Sequence, residues 1–377
     1  MSNVETINSG SAARTSPGEV WHTAADAPTW QQEMATAVRD VGELFRLLSL
    51  PGRSDWLCDD AVADDAVAEH AVAEHAVAEH AVAEDAVAED AGDNFPLLVP
   101  RSFVRRMHPG DSRDPLLRQV LPAPSGGGLG YANESVSDDG FSDDPVGDAA
   151  ANVGAGLLQK YAGRALIVAT GTCAVHCRYC FRQHYDYDDS PRGSPRDNAA
   201  WEPTIRQIAA DPSLHEIIIS GGDPLSWTDG RLAALVEPLA AISHVRRLRI
   251  HTRLPIVVPS RVTRALVTLL ANMPAQAWMV VHANHAQELD ESVATALARL
   301  AGGGVPLLNQ AVLLRGVNDS VEALAALSER LVDVGVVPYY LHQLDRVRGA
   351  AHFEVPIDEG VRLVRALGER LPGYALP

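Results

Sequence analysis

Residues 165–183 read ALIVATGTCAVHCRYCFRQ. The opening run, Ala165–Ala169, is short, apolar and β-branched at its centre, the pattern of a buried strand. Three cysteines follow at once: Cys173, Cys177 and Cys180, spaced C-x3-C-x2-C. Offsets of four and three residues let three thiols converge on one small object from a compact loop. Two occupants are compatible. Structural zinc takes four protein ligands, and His176 or His184 would supply the fourth. A 4Fe–4S cluster on three cysteines leaves one iron without a protein ligand, a position that a small molecule can chelate. The cluster is the favoured reading, although the spacing differs from ferredoxin runs.

The same strand-then-loop pattern recurs downstream. Further strands are expected at Glu216–Ser220, Arg247–His251, Trp278–His282, Leu307–Leu313 and Val337–Leu341. Helices are expected at 201–210, 228–241, 260–271, 287–301, 319–334 and 357–371. Alternation of this kind argues an α/β fold with a parallel sheet and right-handed crossovers. Six units make a partial (βα)6 TIM-like barrel, with its chemistry at the C-terminal ends of the strands.

Polar residues gather at those ends. SGGDPL (220–225) places Gly221, Gly222 and Asp223 after a strand, where glycines allow close backbone approach to a ligand or simply a tight turn. His282, Asn284 and His285 follow the fourth strand, and Asn309 and Gln310 lie in the fifth. Buried polar groups are costly unless satisfied, so several together suggest a polar ligand in the barrel mouth. Asp345 follows the sixth strand; it suits a substrate ammonium, a helix cap, or a salt bridge to Arg346 or Arg348.

The N-terminal part is of another kind. Residues 27–50 read as one amphipathic helix carrying Trp30, Met34, Val38, Val41, Leu44, Phe45 and Leu48. AVADD, three copies of AVAEH and two of AVAED then span 61–90. A five-residue period turns each repeat by about 140° around a helix, so no single apolar stripe forms. Metal capture by His70, His75 and His80 is set aside for the same reason. The division expected is an N-terminal helical region at 1–57, a disordered acidic repeat at 58–94, a helical extension at 95–122, a Gly/Ser/Asp-rich linker at 123–153, and the barrel at 154–377.

Net charge is −18 over 377 residues, with 46% hydrophobic residues. Much of that acidity sits before residue 150, and there is no basic stripe for nucleic acid. No 18-residue apolar run or signal peptide is evident, so a cytoplasmic protein without membrane association is expected. Cys58 is a bystander, and four cysteines do not make a disulfide framework. The 31 basic residues include a single lysine, Lys160.

CAVHCRYCFR resembles the signature of the radical S-adenosylmethionine enzymes, and SGGDPL resembles their glycine-rich motif. RIHTRLPIVVPSRVT, NHAQEL, GVPLLNQAVLLRGVND and PYYLHQLDRVRGAAHF are similar to the lysine 2,3-aminomutase family. VPRSFVRRM and DPLLRQVLP are similar to the branch of it that serves elongation factor P. The resemblance spans roughly 95–122 and 140–377. It implies three cofactors: a 4Fe–4S cluster, S-adenosylmethionine and pyridoxal 5′-phosphate. A reductant such as flavodoxin or ferredoxin feeds the cluster, which cleaves S-adenosylmethionine to methionine and a 5′-deoxyadenosyl radical. The radical takes hydrogen from the β-carbon of L-lysine, the amino group moves to the β-carbon, and hydrogen returns to give (R)-β-lysine. A separate ligase attaches that product to elongation factor P.

By the same resemblance, Cys173, Cys177 and Cys180 hold the cluster. Gly221, Gly222, Asp223, His282 and Gln310 contact S-adenosylmethionine. Arg182 takes the substrate carboxylate, Asp345 the ε-ammonium, and Lys160, Tyr161 and Arg164 the cofactor phosphate. Tyr179 stands where some relatives have a histidine. The family's pyridoxal-binding lysine and a second acid would lie beyond the final LPGYALP, so no catalytic lysine is identified. A truncated piece of an ordinary enzyme is the favoured expectation. A decaying gene and non-covalent cofactor binding stay open, as do another amino-acid substrate and a non-catalytic iron–sulfur remnant.

Overall fold

In the computed structural model, the run at 164–170 forms the expected strand, and the chain repeats the move five times. The structure describes residues 28–50, 95–122, 138–154, 156–187 and 198–377. The strands are β1 (Leu157–Tyr161), β2 (Arg164–Thr170), β3 (Glu216–Gly221), β4 (Arg247–Thr252), β5 (Gln276–Val281), β6 (Leu307–Val312) and β7 (Val337–His342). They form one sheet in chain order. β2 to β7 are all parallel, giving the open six-unit barrel. β1 was not expected. It pairs antiparallel with β2 through a tight turn, where Gly163 supplies φ 78°.

Before the sheet come α1 (Trp30–Ala35), α2 (Val41–Leu47), α3 (Arg101–Val104), α4 (Pro115–Arg118) and α5 (Asp148–Ala151). Between and after the strands come α6 (Glu202–Ala210), α7 (Asp229–Ala240), α8 (Leu254–Val257), α9 (Arg264–Ala271), α10 (Glu291–Gly302), α11 (Val321–Asp333) and α12 (Ile357–Arg370). Side chains alternate faces along each strand. Registered neighbours Ile167, Ile219, Ile250, Met279 and Leu307 form one row, fully or almost fully buried in the core shared with the helices. Each such side chain contributes about 1.5–3 kcal/mol of burial. The opposite, lumen face is different: Arg249 registers with Trp278, His251 with Val280, Gln310 with Tyr340, and Val312 with His342. A face this polar suits a chamber rather than a packed interior.

The single helix expected at 27–50 is broken. Val38 leaves the helical path to pair with Val99, exchanging backbone bonds of 2.8 and 2.9 Å. Asp40 then caps α2 through the Glu43 amide, 2.7 Å. Residues 95–122 are a run of turns with two one-turn helices, and strap the barrel: Ser102 Oγ donates to Val257 O, 2.6 Å. The second half of the expected linker, 138–153, is built structure, with α5 and a buried Asp148. The acidic repeat, Cys58 and His70, His75 and His80 lie outside the described residues. Among the described residues, no helix is long and apolar enough to cross a membrane.

Candidate active site

The cysteine loop leaves the C-terminal end of β2 and is stitched to the end of β3. Gly222 N donates to Thr170 O (2.5 Å) and Asp223 N to Thr172 O (2.8 Å). A Cβ on Gly222 would stand 2.5 Å from Thr172 O and 2.7 Å from the Gly171 carbonyl carbon. Gly221 has φ 134° and faces the Thr170 backbone as closely. The close approach that these glycines permit is therefore between two backbone segments. Asp223 is likewise engaged within the protein. Oδ1 accepts from Leu225 N (3.0 Å) and Thr252 Oγ1 (2.7 Å), and Oδ2 from Arg253 N (2.7 Å) and Leu254 N (3.2 Å). Burial pushes its carboxyl up to about 6, against four hydrogen bonds that favour the charge. Asp223 ties the end of β3 to the end of β4.

From outside, the strap holds the same loop: His176 N donates to Leu98 O (3.0 Å) and Arg178 N to Gln119 O (2.9 Å). Both histidines offered for zinc are engaged elsewhere. His176 Nδ1 lies 2.8 Å from Pro96 O with its ring stacked on Phe95, and His184 Nε2 lies 3.2 Å from Arg348 O. Among the described residues, no three His, Cys, Asp or Glu side chains converge as a single metal ion requires. Burial, with the neighbouring cysteines, pushes Cys173 well up and Cys180 up to about 11. A bound cation would offset that cost of ionisation. Three cysteines on one loop, near enough to raise one another's ionisation cost, with no fourth ligand beside them among the described residues, fit a 4Fe–4S cluster with one open iron.

A buried polar network backs this loop. Arg253 Nη1 lies 2.7 Å from Cys177 Sγ. Arg253 Nη2 donates to Gln119 Oε1 (2.6 Å) and Glu288 Oε2 (2.9 Å). Glu288 Oε1 accepts from Asn284 N, His285 N and Gln119 Nε2. Burial alone would raise the Glu288 carboxyl, but Arg253 holds it below the usual range. Asn284 Nδ2 donates to Tyr179 OH, 2.7 Å, and His282 Nε2 is 3.3 Å from that hydroxyl. Burial, then Arg253, lowers His282 to about 3, so its imidazole is neutral. Asn309 exchanges two bonds with the Ala283 backbone, and His285 caps the turn at Ala286–Glu288. Of the polar strand-end residues, Asn284, Asn309 and His285 thus hold the framework. His282 and Gln310 are on the lumen side of the network.

The charged end of the chamber centres on Asp148, which sequence reasoning missed inside a stretch read as linker. Its Oδ2 accepts from Arg182 Nε (2.8 Å) and its Oδ1 from Lys160 Nζ. Burial opposes ionisation, but Arg182 and Lys160 prevail and hold it below the usual carboxylate range. Arg182, 6% exposed, also donates through Nη1 to Ser220 Oγ (3.2 Å) and Gly221 O (3.4 Å). Its Nη2 has no partner among the described residues. Asp345 has no ion pair there either: Arg346 pairs with Glu354 and Arg348 with Asp143. Burial raises the Asp345 carboxyl, while His342, Lys160 and Arg182 favour its charge and Asp148 opposes it. These groups thus act on one another electrostatically.

The residues expected on a cofactor phosphate divide. Arg164 lies 4.4 Å over the exposed Tyr161 ring, and with Arg249 it acts on Tyr340 of β7. Arg249 is committed to Glu216, 3.1 Å away, so of the two Arg164 alone suits a phosphate. Lys160 fits less well, because its ammonium donates to Val146 O (2.8 Å) and Asp148.

The comparisons with known proteins agree with this geometry. A family model described as a 4Fe-4S single cluster domain matches residues 161–248, the stretch holding the cysteine loop and the 220–225 turn. L-lysine 2,3-aminomutase of Escherichia coli (strain K12) is 46% identical over 348 residues, 92% of this chain and 90% of that one. The enzyme of the same name from Haemophilus influenzae is 43% identical, covering 75% of this chain and 80% of its own. That from Clostridium subterminale is 34% identical, covering 73% and 63%. Such membership implies a 4Fe–4S cluster, S-adenosylmethionine and pyridoxal phosphate as cofactors. With three cysteines on the first parallel strand's loop and near-full-length relatives of one name, this chain belongs to the L-lysine 2,3-aminomutase family of radical S-adenosylmethionine isomerases.

Proposed function

We propose that the chain rearranges L-lysine to (R)-β-lysine, and that the product is destined for elongation factor P. The observation that carries the substrate reading is a pairing of needs between two groups that feel each other's charge. Arg182 offers a free Nη2 to a carboxylate, and the unpaired Asp345 offers a carboxylate to a cationic side chain. Cys173, Cys177 and Cys180 would hold the cluster, whose open iron chelates S-adenosylmethionine. Pyridoxal phosphate, when bound, supplies the π-system that stabilises a nitrogen-migrating radical. Arg164 and Tyr161 would hold its phosphate. Asp148 fixes Arg182, and the Glu288 network closes the floor against water. A low-potential donor such as flavodoxin or ferredoxin would supply the electron. The elongation factor P reading is supported by the strap at 95–122, whose motifs resemble that branch and which docks on the cysteine loop.

Anaerobic reconstitution with iron and sulfide, then dithionite, S-adenosylmethionine, pyridoxal phosphate and L-lysine, tests the first part. β-Lysine is expected, with 5′-deoxyadenosine at no more than trace level because its hydrogen is returned in each turnover. Deoxyadenosine alone would leave radical generation standing and sink the rearrangement. For the second part, elongation factor P made together with its ligase and this chain should gain a β-lysyl mass. An unmodified factor beside active aminomutase would reject it.

A further inference from the structure

The buried cation next to the cysteine loop is left without a task by the proposed reaction. Arg253 follows β4 directly and is 6% exposed. Its backbone amide is fixed by Asp223 Oδ2, 2.7 Å, and its Nη2 by Gln119 and Glu288. The guanidinium lies 5.3 Å from the Phe103 ring and 5.7 Å from that of Tyr179. Each of these contacts aims Nη1 at one atom, Cys177 Sγ, 2.7 Å away. A counter-ion for Glu288 alone would not need that second arm. Arginine's fork suits it to serve a carboxylate and a sulfur at once.

We propose that Arg253 is a tuning residue for the cluster: its Nη1 hydrogen-bonds the Cys177 thiolate and makes the cluster easier to reduce. The proposal rests on the cluster occupying the three cysteines. One-electron reduction, by a low-potential donor, takes [4Fe–4S]2+ to [4Fe–4S]+ and adds a negative charge. A fixed cation and an N–H···S bond stabilise the more negative state, so the midpoint potential is higher than it would be without them. Glu288, bonded to the same guanidinium, acts on the cluster with the opposite sign.

The test is an EPR-monitored redox titration of reconstituted full-length protein, with iron and sulfide content measured alongside. Arg253→Lys keeps a partner for Glu288 but cannot also reach Cys177, and should shift the midpoint to more negative potential at unchanged cluster content. Glu288→Gln leaves Arg253 in place and should shift it to more positive potential. A merely structural role predicts cluster loss in both variants and no shift of opposite sign in the cluster that remains. Equal potentials in all three proteins, or a positive shift in Arg253→Lys, would overturn the proposal. Should a variant not fold, a crystal structure of the loaded wild-type protein decides. Nη1 within hydrogen-bond distance of Cys177 Sγ sustains the assignment, and Nη1 turned away ends it. A wild-type protein that loads no iron and sulfide would fail the cluster reading itself, and this inference with it. A loaded protein with insensitive potentials would fail this inference alone.

Discussion

Asp148 Oδ2 lies 2.8 Å from Arg182 Nε while Oδ1 binds Lys160, so one carboxylate locks α5 to the cysteine loop and to β1. Asp148→Asn strips a nearly buried acid from two cations. Loss of one partner of a buried pair costs about 3–5 kcal/mol. A urea melt of the cluster-free protein should show a lowered midpoint. Under turnover the KM for lysine should rise at least about tenfold, more than kcat falls, because Arg182 loses its fixed orientation. An unchanged KM in the folded variant would remove Asp148 from substrate positioning.

Gly222→Ala asks two backbones to part. The new methyl would stand 2.5 Å from Thr172 O, and neither segment is a flexible side-chain tip. Overpacking of this kind costs about 1–3 kcal/mol. The loss should appear both in thermal stability and as lower iron content after reconstitution, because Cys173 follows Thr172 directly. A fully loaded, equally stable variant would count against the stitched-loop account.

Asp223→Asn keeps the shape and removes an acceptor. Four donors now point at two carboxylate oxygens, and an amide NH2 would face some of them. Leaving buried donors unmatched costs about 3 kcal/mol in this arrangement. Because Arg253 N is one of the four, the variant should also alter the reduced-cluster EPR line shape, which a remote destabilisation would not do.

Acidification should weaken the fold well before ordinary exposed carboxylates protonate. Burial, with Arg249, Arg182 and His342 nearby, lowers His251 from 6.5 to about 3, and its Nε2 has no hydrogen-bond partner among the described residues. The unfolded chain takes up a proton below pH 6.5 that the folded one refuses. The associated stability is thus complete above pH 6.5 and is lost as pH falls toward about 3. One such group contributes up to about 1.4 kcal/mol per pH unit. His282 behaves alike. Urea midpoints between pH 7.5 and 5 should fall, and His251→Gln should flatten that fall; an equal slope in the variant would assign the effect elsewhere.

The parallel sheet was legible because each strand is a short β-branched run followed by a helical period, and those signals are local. The cysteine triplet was legible for the same reason. Asp148 was not, because nothing local distinguishes a buried acid in a Gly- and Asp-rich stretch; its meaning comes from Lys160 and Arg182, 12 and 34 residues away. β1 escaped because LLQKY is apolar only in its first two residues and ends half-buried to exposed. Val38 broke a well-patterned helix for a bridge to Val99, a partner 61 positions on that no helical period reveals. Asp223 and Asn309 looked like ligand contacts, since a polar residue at a strand end reads the same whether it meets a ligand or a backbone amide.

The strap and the Arg253 network also set an order of events during synthesis. Arg253 lies 76 residues after Cys177, and Glu288 another 35 beyond. Ser102 of the strap finds its partner, Val257, only 155 residues later. When the cysteines leave the ribosome, neither the cation behind them nor the anchor of the strap around them has been made. The surroundings of the cysteines are completed only once β5 and the turn at Ala286–Glu288 have emerged.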